Sequence, residues 1–170
     1  MLRVTFLISA SLLAAFTESE MISIGDRRIS VHCDGESARS PTVILIPAGG
    51  RTAEDWAPVQ PAVSKFTRVC SYDHANFGQS DKAPVKLQSP DEVVDDLHAW
   101  LKASGEKGPF ILVGHSLSGI YARRFVIRYP SEAAGLVLVD SSHEEQALRL
   151  HQLDPQGPGW MTLPPGLVSM

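Results

Sequence analysis

Short apolar runs alternate with helical patterns from residue 21 to about residue 150, and this alternation constrains the fold more than any other feature of the chain. Residues 42–47 form a β-branched, wholly apolar run, of the kind that is buried on both faces of a parallel sheet. Further strands are predicted at 68–73, 110–113 and 136–140. Because parallel strands need a crossover connection, this order predicts an α/β fold: a mostly parallel sheet with helices on both faces.

The segments between these runs carry local structural signals. A β-hairpin is predicted over residues 21–33, and a modest helix over residues 56–66. The strongest helix is predicted to start at Ser89, where a serine cap is followed by Pro90 and acidic residues, and to end at Gly105.

Composition limits the classes of function. The chain has 170 residues, of which 44% are hydrophobic and 20% charged, which is typical of one globular domain. The formal net charge of −4 provides no basic stripe, so nucleic acid is not an expected partner. No pair of His, Cys, Asp or Glu residues has the spacing of metal ligands. Neither a metal nor another cofactor is therefore expected.

The N-terminal segment resembles a secretory signal. Residues 1–19 combine a positive charge at Arg3 with an apolar run that is too short to span a membrane. A signal peptide predicts a secreted or periplasmic protein; the alternatives are a buried first element, or a true start at Met21, in a cytoplasmic protein. Cys33 and Cys70 are the only cysteines. They could pair after export, whereas in the cytoplasm they would be two small buried side chains.

One motif points to nucleophilic chemistry. Residues 114–119 read Gly-His-Ser-Leu-Ser-Gly and separate a buried strand from a helix. A serine on such a sharp turn needs small neighbours two residues away, and Gly114 and Ser118 meet this need. The helix that follows directs its N-terminal amides at the serine. Ser116 is therefore a candidate nucleophile, and the alternative is a helix N-cap.

Together these segments resemble the α/β-hydrolase superfamily over about residues 21–150. Residues 46–56 resemble its oxyanion loop, 71–80 its D-x-x-G-x-G-x-S loop, 113–119 its nucleophile elbow, and 129–140 its next helix end and strand. The resemblance implies that Ser116 is the nucleophile and that the backbone amides of Gly49 and Leu117 form the oxyanion hole. His115 is expected to pack rather than to react.

The sequence also departs from the family pattern at several positions. Pro47 stands where a histidine is usual, and Ala48 where a glycine is usual. His74 and Asn76 replace a common arginine and glycine, and Ser118 occupies the position of the second glycine of the elbow. We expect these changes to alter the support of the oxyanion loop without removing the Gly49 amide, and His74 has no evident partner.

The family takes its catalytic histidine from a loop after the last strand, beyond the length of this chain. The expectation is therefore a fold cut after its sixth strand. It would have a partial core over residues 20–150 and a Pro/Gly-rich linker, or the start of a lid, over residues 151–170. Asp140 is a candidate acid, and His143, or His151, a candidate base. The alternative is that these are solvated polar residues at the start of a cap helix.

The resemblance implies a hydrolase that acts on an ester or a related small organic substrate through an acyl-enzyme. A second hypothesis is a catalytically incomplete fragment or pseudo-enzyme that acts as a binding module, self-associating through an open sheet edge. A third is a cofactor-free lyase or haloperoxidase-like activity, because a fold does not fix the reaction. A small-molecule substrate is expected, and a membrane span is not.

Overall fold

The computed structural model describes residues 18–36 and 41–153. Their strands form one six-stranded sheet in the order β1-β2-β4-β3-β5-β6. The strands are β1 (Glu20–Ser23), β2 (Arg28–Asp34), β3 (Val43–Ile46), β4 (Val69–Tyr72), β5 (Phe110–His115) and β6 (Ala133–Val139). The β1–β2 hairpin joins β4 in antiparallel orientation, and the remaining pairs are parallel. The predicted mostly parallel sheet is confirmed; nearly all of the predicted signal peptide and linker lie outside the described residues.

Three helices lie between the strands as predicted, with one difference in length, and a fourth follows β6. They are α1 (Gln60–Val63), α2 (Pro90–Ala103), α3 (Ser118–Arg128) and α4 (Gln146–Leu153). The helix predicted over residues 56–66 is instead a 3₁₀ turn at Ala53–Trp56 followed by the single turn α1. Pro58 and Pro61 explain this difference, because proline has no N–H to donate to the preceding turn.

Both faces of the sheet are covered, and β3 shows why its sequence is apolar throughout. Ile44 and Ile46 belong to the larger core, which includes α2 and α3. Val43 and Leu45 face the opposite side and pack with Trp56. Alternate side chains of one strand therefore enter two cores, as a doubly covered strand requires.

The two cysteines join the hairpin to the rest of the sheet. Cys33 on β2 lies opposite Cys70 on β4, with their Cα atoms 4.1 Å apart and their sulfur atoms in a disulfide. The strand order that the family resemblance implies places these residues on neighbouring strands, and the structure confirms this.

Strand β6 forms one edge of the described sheet. Among the described residues it pairs only with β5. Four consecutive apolar side chains on it are between 38% and 46% exposed: Leu136, Val137, Leu138 and Val139. No helix within the described residues is both long and apolar enough to cross a membrane.

Candidate active site

Ser116 lies on the sharp turn between β5 and α3. Its φ angle is +52°, in the left-handed region that non-glycine residues seldom adopt. A Cβ atom on Gly114 would lie 2.5 Å from the carbonyl oxygen of Ser118. The strand and the helix can approach this closely only because residue 114 is glycine, which accounts for the small residue before the serine.

The glycine that follows at position 119 has a separate structural reason. A Cβ atom there would lie 1.8 Å from Oγ of Ser141, in the loop after β6. The same loop is tied to the turn by two backbone hydrogen bonds: Ser116 N–H donates to the Val139 carbonyl (3.0 Å), and Ser142 N–H donates to the Ser116 carbonyl (2.9 Å). The turn that carries Ser116 is therefore held by the end of β6 as well as by β5.

The loop after β3 packs directly on this turn. A Cβ atom on Gly49 would lie 2.6 Å from Cδ2 of Leu117, so the two residues predicted to form the oxyanion hole are neighbours. The Arg51 amide donates to the Ala48 carbonyl at 3.0 Å, and Gly50 has φ +76°. The loop is a tight, glycine-dependent turn, and the aim of the two amides at the Ser116 hydroxyl stays a prediction.

Asp73 fixes the neighbouring loop after β4. One of its carboxylate oxygens accepts the Ala53 N–H at 2.8 Å, and the other accepts the Gln79 N–H at 2.8 Å. A Cβ atom on Gly78 would lie 2.1 Å from that second oxygen. This buried carboxylate therefore holds two loops at the rim together, and glycine is required at position 78.

His74, the next residue, has partners that the sequence did not reveal. Its Nε2 atom lies 3.1 Å from the Pro47 carbonyl and 3.4 Å from Oγ of Ser118. Burial lowers its pKa from 6.5 to about 4, against the opposing effects of the Pro47 hydrogen bond and of Asp73 and Asp96. The sequence-based statement that His74 lacks a partner is wrong. The available signal was that positions 47, 74 and 118 all depart from the family pattern.

Two cavities lie beside the Ser116 turn and the loop that carries Gly49. One, of about 540 Å³, is lined by Ser116, Asp140 and His115, and also by Ala48, Arg51, Asp55, Trp56, Val59 and Val139. The other, of about 250 Å³, is mostly apolar, and its lining includes Gly49, Leu117, His74, Tyr121 and Phe77. Ser116 thus faces one cavity, and the residues predicted to form the oxyanion hole face the other.

The lining of the larger cavity includes an ion pair, Arg51 with Asp55. Arg51 donates to both carboxylate oxygens of Asp55, and this pairing holds the pKa of Asp55 below its usual value. His115 contacts Trp56 edge to face, with ring centroids 6.3 Å apart. This contact agrees with the expected packing role of His115.

The candidate acid and base lie in the loop after β6. Asp140 has φ +43° and is exposed beside Ser116 in the larger cavity. The His143 side chain is 59% exposed; its Nδ1 accepts the Glu145 N–H at 3.1 Å, and its Nε2 lies 3.7 Å from the Glu144 carboxylate. Within residues 18–36 and 41–153, no hydrogen bond joins His143 to Ser116 or to Asp140. His151 lies in α4.

One group of side chains has metal-ligand character. Ligand atoms of Cys33, Cys70 and Glu106 lie within 4.8 Å of one another. The two sulfur atoms are bonded to each other, whereas a cysteine binds a metal as a thiolate. In this oxidised form the group does not supply metal ligands.

Similarity to other proteins agrees with this architecture. The chain is 28% identical over 141 residues to a probable transporter, efuK, of Hormonema carpetanum, covering 80% of this chain and 20% of that protein. The meta-cleavage product hydrolase CumD of Pseudomonas fluorescens IP01 matches with 27% identity and a TM-score of 0.64, covering 75% of this chain and 46% of that one. A bromoperoxidase of Bacillus anthracis matches with 25% identity and a TM-score of 0.64, covering 73% and 45%.

The chain thus spans about a fifth of the length of the first of these relatives and less than half of the two solved structures. The model of the alpha/beta hydrolase fold family matches residues 41–163, which is most of the chain. The matched segment contains β3 to β6, the Ser116 turn and the loops that pack on it. The chain therefore belongs to the alpha/beta hydrolase fold family.

Proposed function

We propose that this chain contains the nucleophile, Ser116, of a hydrolase that acts on an ester or a related small organic substrate. The observation that carries the proposal is the position of Ser116. Its backbone has a left-handed conformation on the turn between β5 and α3, and the residue lines a cavity of about 540 Å³. A reactive group at the carboxyl end of a strand in an open α/β sheet lies where such folds bind ligands.

The proposed chemistry is acyl transfer. The Ser116 hydroxyl loses its proton to a base as its oxygen attacks the substrate carbonyl carbon, and the carbonyl oxygen becomes an oxyanion that accepts hydrogen bonds from the Gly49 and Leu117 amides. Collapse of this intermediate breaks the ester C–O bond, the alcohol leaves with the proton that the base took from Ser116, and the acyl group stays on Ser116. Water then attacks the acyl-enzyme and gives a proton to the base, the acid is released, and the base returns the proton to Ser116.

The general base that accepts the Ser116 proton is the part of the site with the least support among the described residues. His143 is the candidate base and Asp140 the candidate acid, because their loop is bonded to the Ser116 backbone through Ser142. The His143 ring would first have to leave the Glu144 carboxylate and the Glu145 amide. Loss of a triad member costs several powers of ten in rate while weak catalysis remains, so we propose weak activity for residues 1–170.

Acetylation by p-nitrophenyl acetate tests this proposal. The 170-residue chain should release p-nitrophenol slowly and gain an acetyl group on the peptide that contains Ser116, as seen by mass spectrometry. Ser116→Ala should abolish both signals, whereas Ser131→Ala, a change at an exposed serine on the 3₁₀ turn before β6, should leave them unchanged. Equal acetylation of Ser116→Ala and the unmodified chain would overturn the assignment.

The substrate class stays broad. The solved relatives include a meta-cleavage product hydrolase and a bromoperoxidase, so we propose a reaction other than ester hydrolysis at Ser116 as the runner-up. We also propose that the protein is exported to an oxidising compartment. The disulfide between Cys33 and Cys70 supports this location.

A second candidate function, a binding module, is favoured by strand β6. Its sequence, AAGLVLV, has neither a charge nor a proline, and four of its apolar side chains are at least 38% exposed. Strand edges of this kind lack the usual protection against pairing. We propose a second copy of the chain as the occupant, because two β6 strands can pair antiparallel about a twofold axis.

Light scattering after size exclusion tests self-association. The chain should elute as a dimer, and Val137→Lys on β6 should shift it to a monomer. Val85→Lys, at a comparably exposed valine (42% against 46%) in a loop outside the sheet, is the matched control. A monomer at about 100 µM for all three proteins would overturn this candidate without affecting the proposed role of Ser116.

A further inference from the structure

A buried polar cluster lies beneath the loop that carries Gly49. It consists of the Pro47 carbonyl, the His74 ring and the Ser118 hydroxyl, and we call it the Pro47 cluster. The Ser118 hydroxyl donates to the Pro47 carbonyl, and His74 Nε2 lies 3.1 Å from the same oxygen. Both residues are buried: Ser118 is 0% exposed and His74 is 5% exposed. The cluster joins the loops after β3 and β4 to the first residue of α3.

The direction of each hydrogen bond follows from the chemistry. A carbonyl oxygen can only accept, so His74 Nε2 must carry the proton that faces Pro47. The pKa of about 4 keeps the ring neutral near pH 7, so its other nitrogen is then unprotonated. Edge-to-face contacts with Tyr72 and Tyr121, at 5.1 Å and 5.6 Å between centroids, hold the ring in this orientation. The two lone pairs of the Pro47 carbonyl are thus both occupied.

The orientation of the Pro47 carbonyl is transmitted to the Gly49 amide through two peptide units. Each unit is planar, and in a trans peptide the N–H points opposite to the C=O. The Pro47 carbonyl belongs to the first unit and is held by His74 and Ser118. The Ala48 carbonyl belongs to the second, which includes the Gly49 N–H, and it accepts the Arg51 amide at 3.0 Å. The Ala48 carbonyl sets the direction of the Gly49 N–H within its own unit, and the held Pro47 carbonyl fixes the adjoining unit, to which this second unit is joined at the Ala48 Cα.

We propose that His74 and Ser118 are positioning residues that aim the Gly49 amide at the oxygen of a substrate bound to Ser116. This inference rests on the proposed function. Neither group needs to touch the reacting atoms, because both act through the Pro47 carbonyl. Three positions that depart from the family pattern, 47, 74 and 118, therefore act as one unit, and each depends on the other two.

Two single variants each remove one partner of the Pro47 carbonyl, and each also removes the 3.4 Å contact between His74 and Ser118. Ser118→Ala deletes only the hydroxyl, and His74→Leu removes the ring donor. Each should lower the first-order rate constant of Ser116 acetylation by p-nitrophenyl acetate about tenfold, since losing a complete oxyanion donor costs about 10²–10³-fold. Ser118→Ala should leave the KM for that ester within twofold, because Ser118 lines neither cavity. His74→Gln, which keeps an N–H donor, should recover most of the rate.

Ser71→Ala is the matched control for Ser118→Ala. Ser71 is also fully buried, and its hydroxyl has no hydrogen-bond partner among the described residues. It lies on β4, opposite Leu45 of β3, and makes no hydrogen bond to the Pro47 carbonyl. Ser71→Ala therefore makes the same chemical deletion and should leave the acetylation rate unchanged. An equal loss of rate in both variants would show a general packing effect and would overturn the positioning role.

A spectroscopic measurement separates this inference from the proposed function. In the chain labelled with [¹⁵N]glycine, the Gly49 amide resonance should shift in Ser118→Ala and His74→Leu, and should stay in place in Ser71→Ala. An unshifted Gly49 resonance in both cluster variants would overturn the positioning role. If Ser116→Ala does not abolish acetylation, the proposed function fails, while the Gly49 resonance still tests whether the Pro47 cluster orients the loop.

Discussion

At the scale of single residues, Asn76 explains how the chain tolerates a departure from the family pattern. The residue has φ +75°, and asparagine is among the side chains that adopt this conformation most readily after glycine. Its side chain also donates to the Val85 carbonyl at 3.1 Å and accepts the Ala83 amide at 3.0 Å. Asparagine thus keeps the backbone turn of a glycine and adds side-chain hydrogen bonds to a later part of the same loop, which connects β4 to α2.

His74 should make the stability of the fold depend on pH. Its pKa in the folded chain is about 4, below the usual 6.5, so between these values the unfolded chain binds a proton that the folded chain does not. Stability contributed by the neutral ring is therefore present above pH 6.5 and is lost as the pH falls toward 4. The full loss is about 3 kcal/mol.

Urea unfolding at several pH values between 4 and 7.5 measures this effect. His74→Gln should flatten the fall in unfolding free energy over that range, because glutamine does not titrate. His143→Gln, a change at an exposed histidine, serves as the control and should retain the slope. A slope that is the same in His74→Gln and the unmodified chain would contradict the prediction.

Gly114 should be irreplaceable for steric reasons. In Gly114→Ala the new methyl group would lie 2.5 Å from a backbone oxygen and 2.8 Å from the Cα of Gly119, so β5 and α3 would have to separate. We expect a loss of about 3 kcal/mol in unfolding free energy, at the upper end of typical overpacking costs. Gly135→Ala on β6 is the control, because its nearest contact would be 3.7 Å. Equal urea midpoints for the two variants would refute this argument.

At the scale of secondary structure, the start of α2 is set by residues at its own N-terminus. The Ser89 amide donates to the Glu92 carboxylate at 2.7 Å, and the Glu92 amide donates to the Ser89 hydroxyl, which together form a capping box. The bonds that the Ser89 amide and the Ser89 hydroxyl donate to the Glu92 carboxylate lower the pKa of Glu92. The predicted start of this helix is therefore confirmed, since the signal is local in sequence.

Removal of this cap should destabilise the fold by a modest amount. Ser89→Ala leaves the Glu92 amide without its partner, and we expect a loss of about 1 kcal/mol. Ser104→Ala, at the other end of α2, is the control because its hydroxyl bonds only the Leu101 carbonyl. Thermal unfolding should show a lower midpoint for Ser89→Ala than for Ser104→Ala, and the reverse order would argue against the cap.

At the scale of the whole molecule, the disulfide closes a long loop across the sheet. Cys33 and Cys70 are 37 residues apart in sequence. Cross-linking a loop of this length lowers the conformational entropy of the unfolded chain, which raises the free energy of unfolding by about 4 kcal/mol. Reduction, or the double variant Cys33→Ala and Cys70→Ala, should lower the urea midpoint accordingly. Lys107→Ala, a change at an exposed residue, is the control and should leave the difference between the reduced and oxidised midpoints unchanged. Equal midpoints with and without reductant would contradict a stabilising role.

The sequence by itself determined the features that depend on local patterns. Short strand-forming runs located β3 to β6; the run of β3 is wholly apolar because both of its faces are buried. The small residues around Ser116 indicated the turn. The Ser89 cap likewise lies within one turn of the residues that it bonds. The failed local prediction, the helix over residues 56–66, came from giving two prolines too little weight against an apolar pattern.

Only the tertiary structure decided which distant side chains meet. His74 and Ser118 are 44 residues apart, and no periodicity links them to each other or to Pro47; their contact exists because parallel strands bring their carboxyl ends to one rim. The same holds for Gly119, whose need for glycine is set by Ser141 from another strand's loop. Local sequence fixes where a turn forms, whereas the partners of a buried polar group depend on how the sheet is assembled.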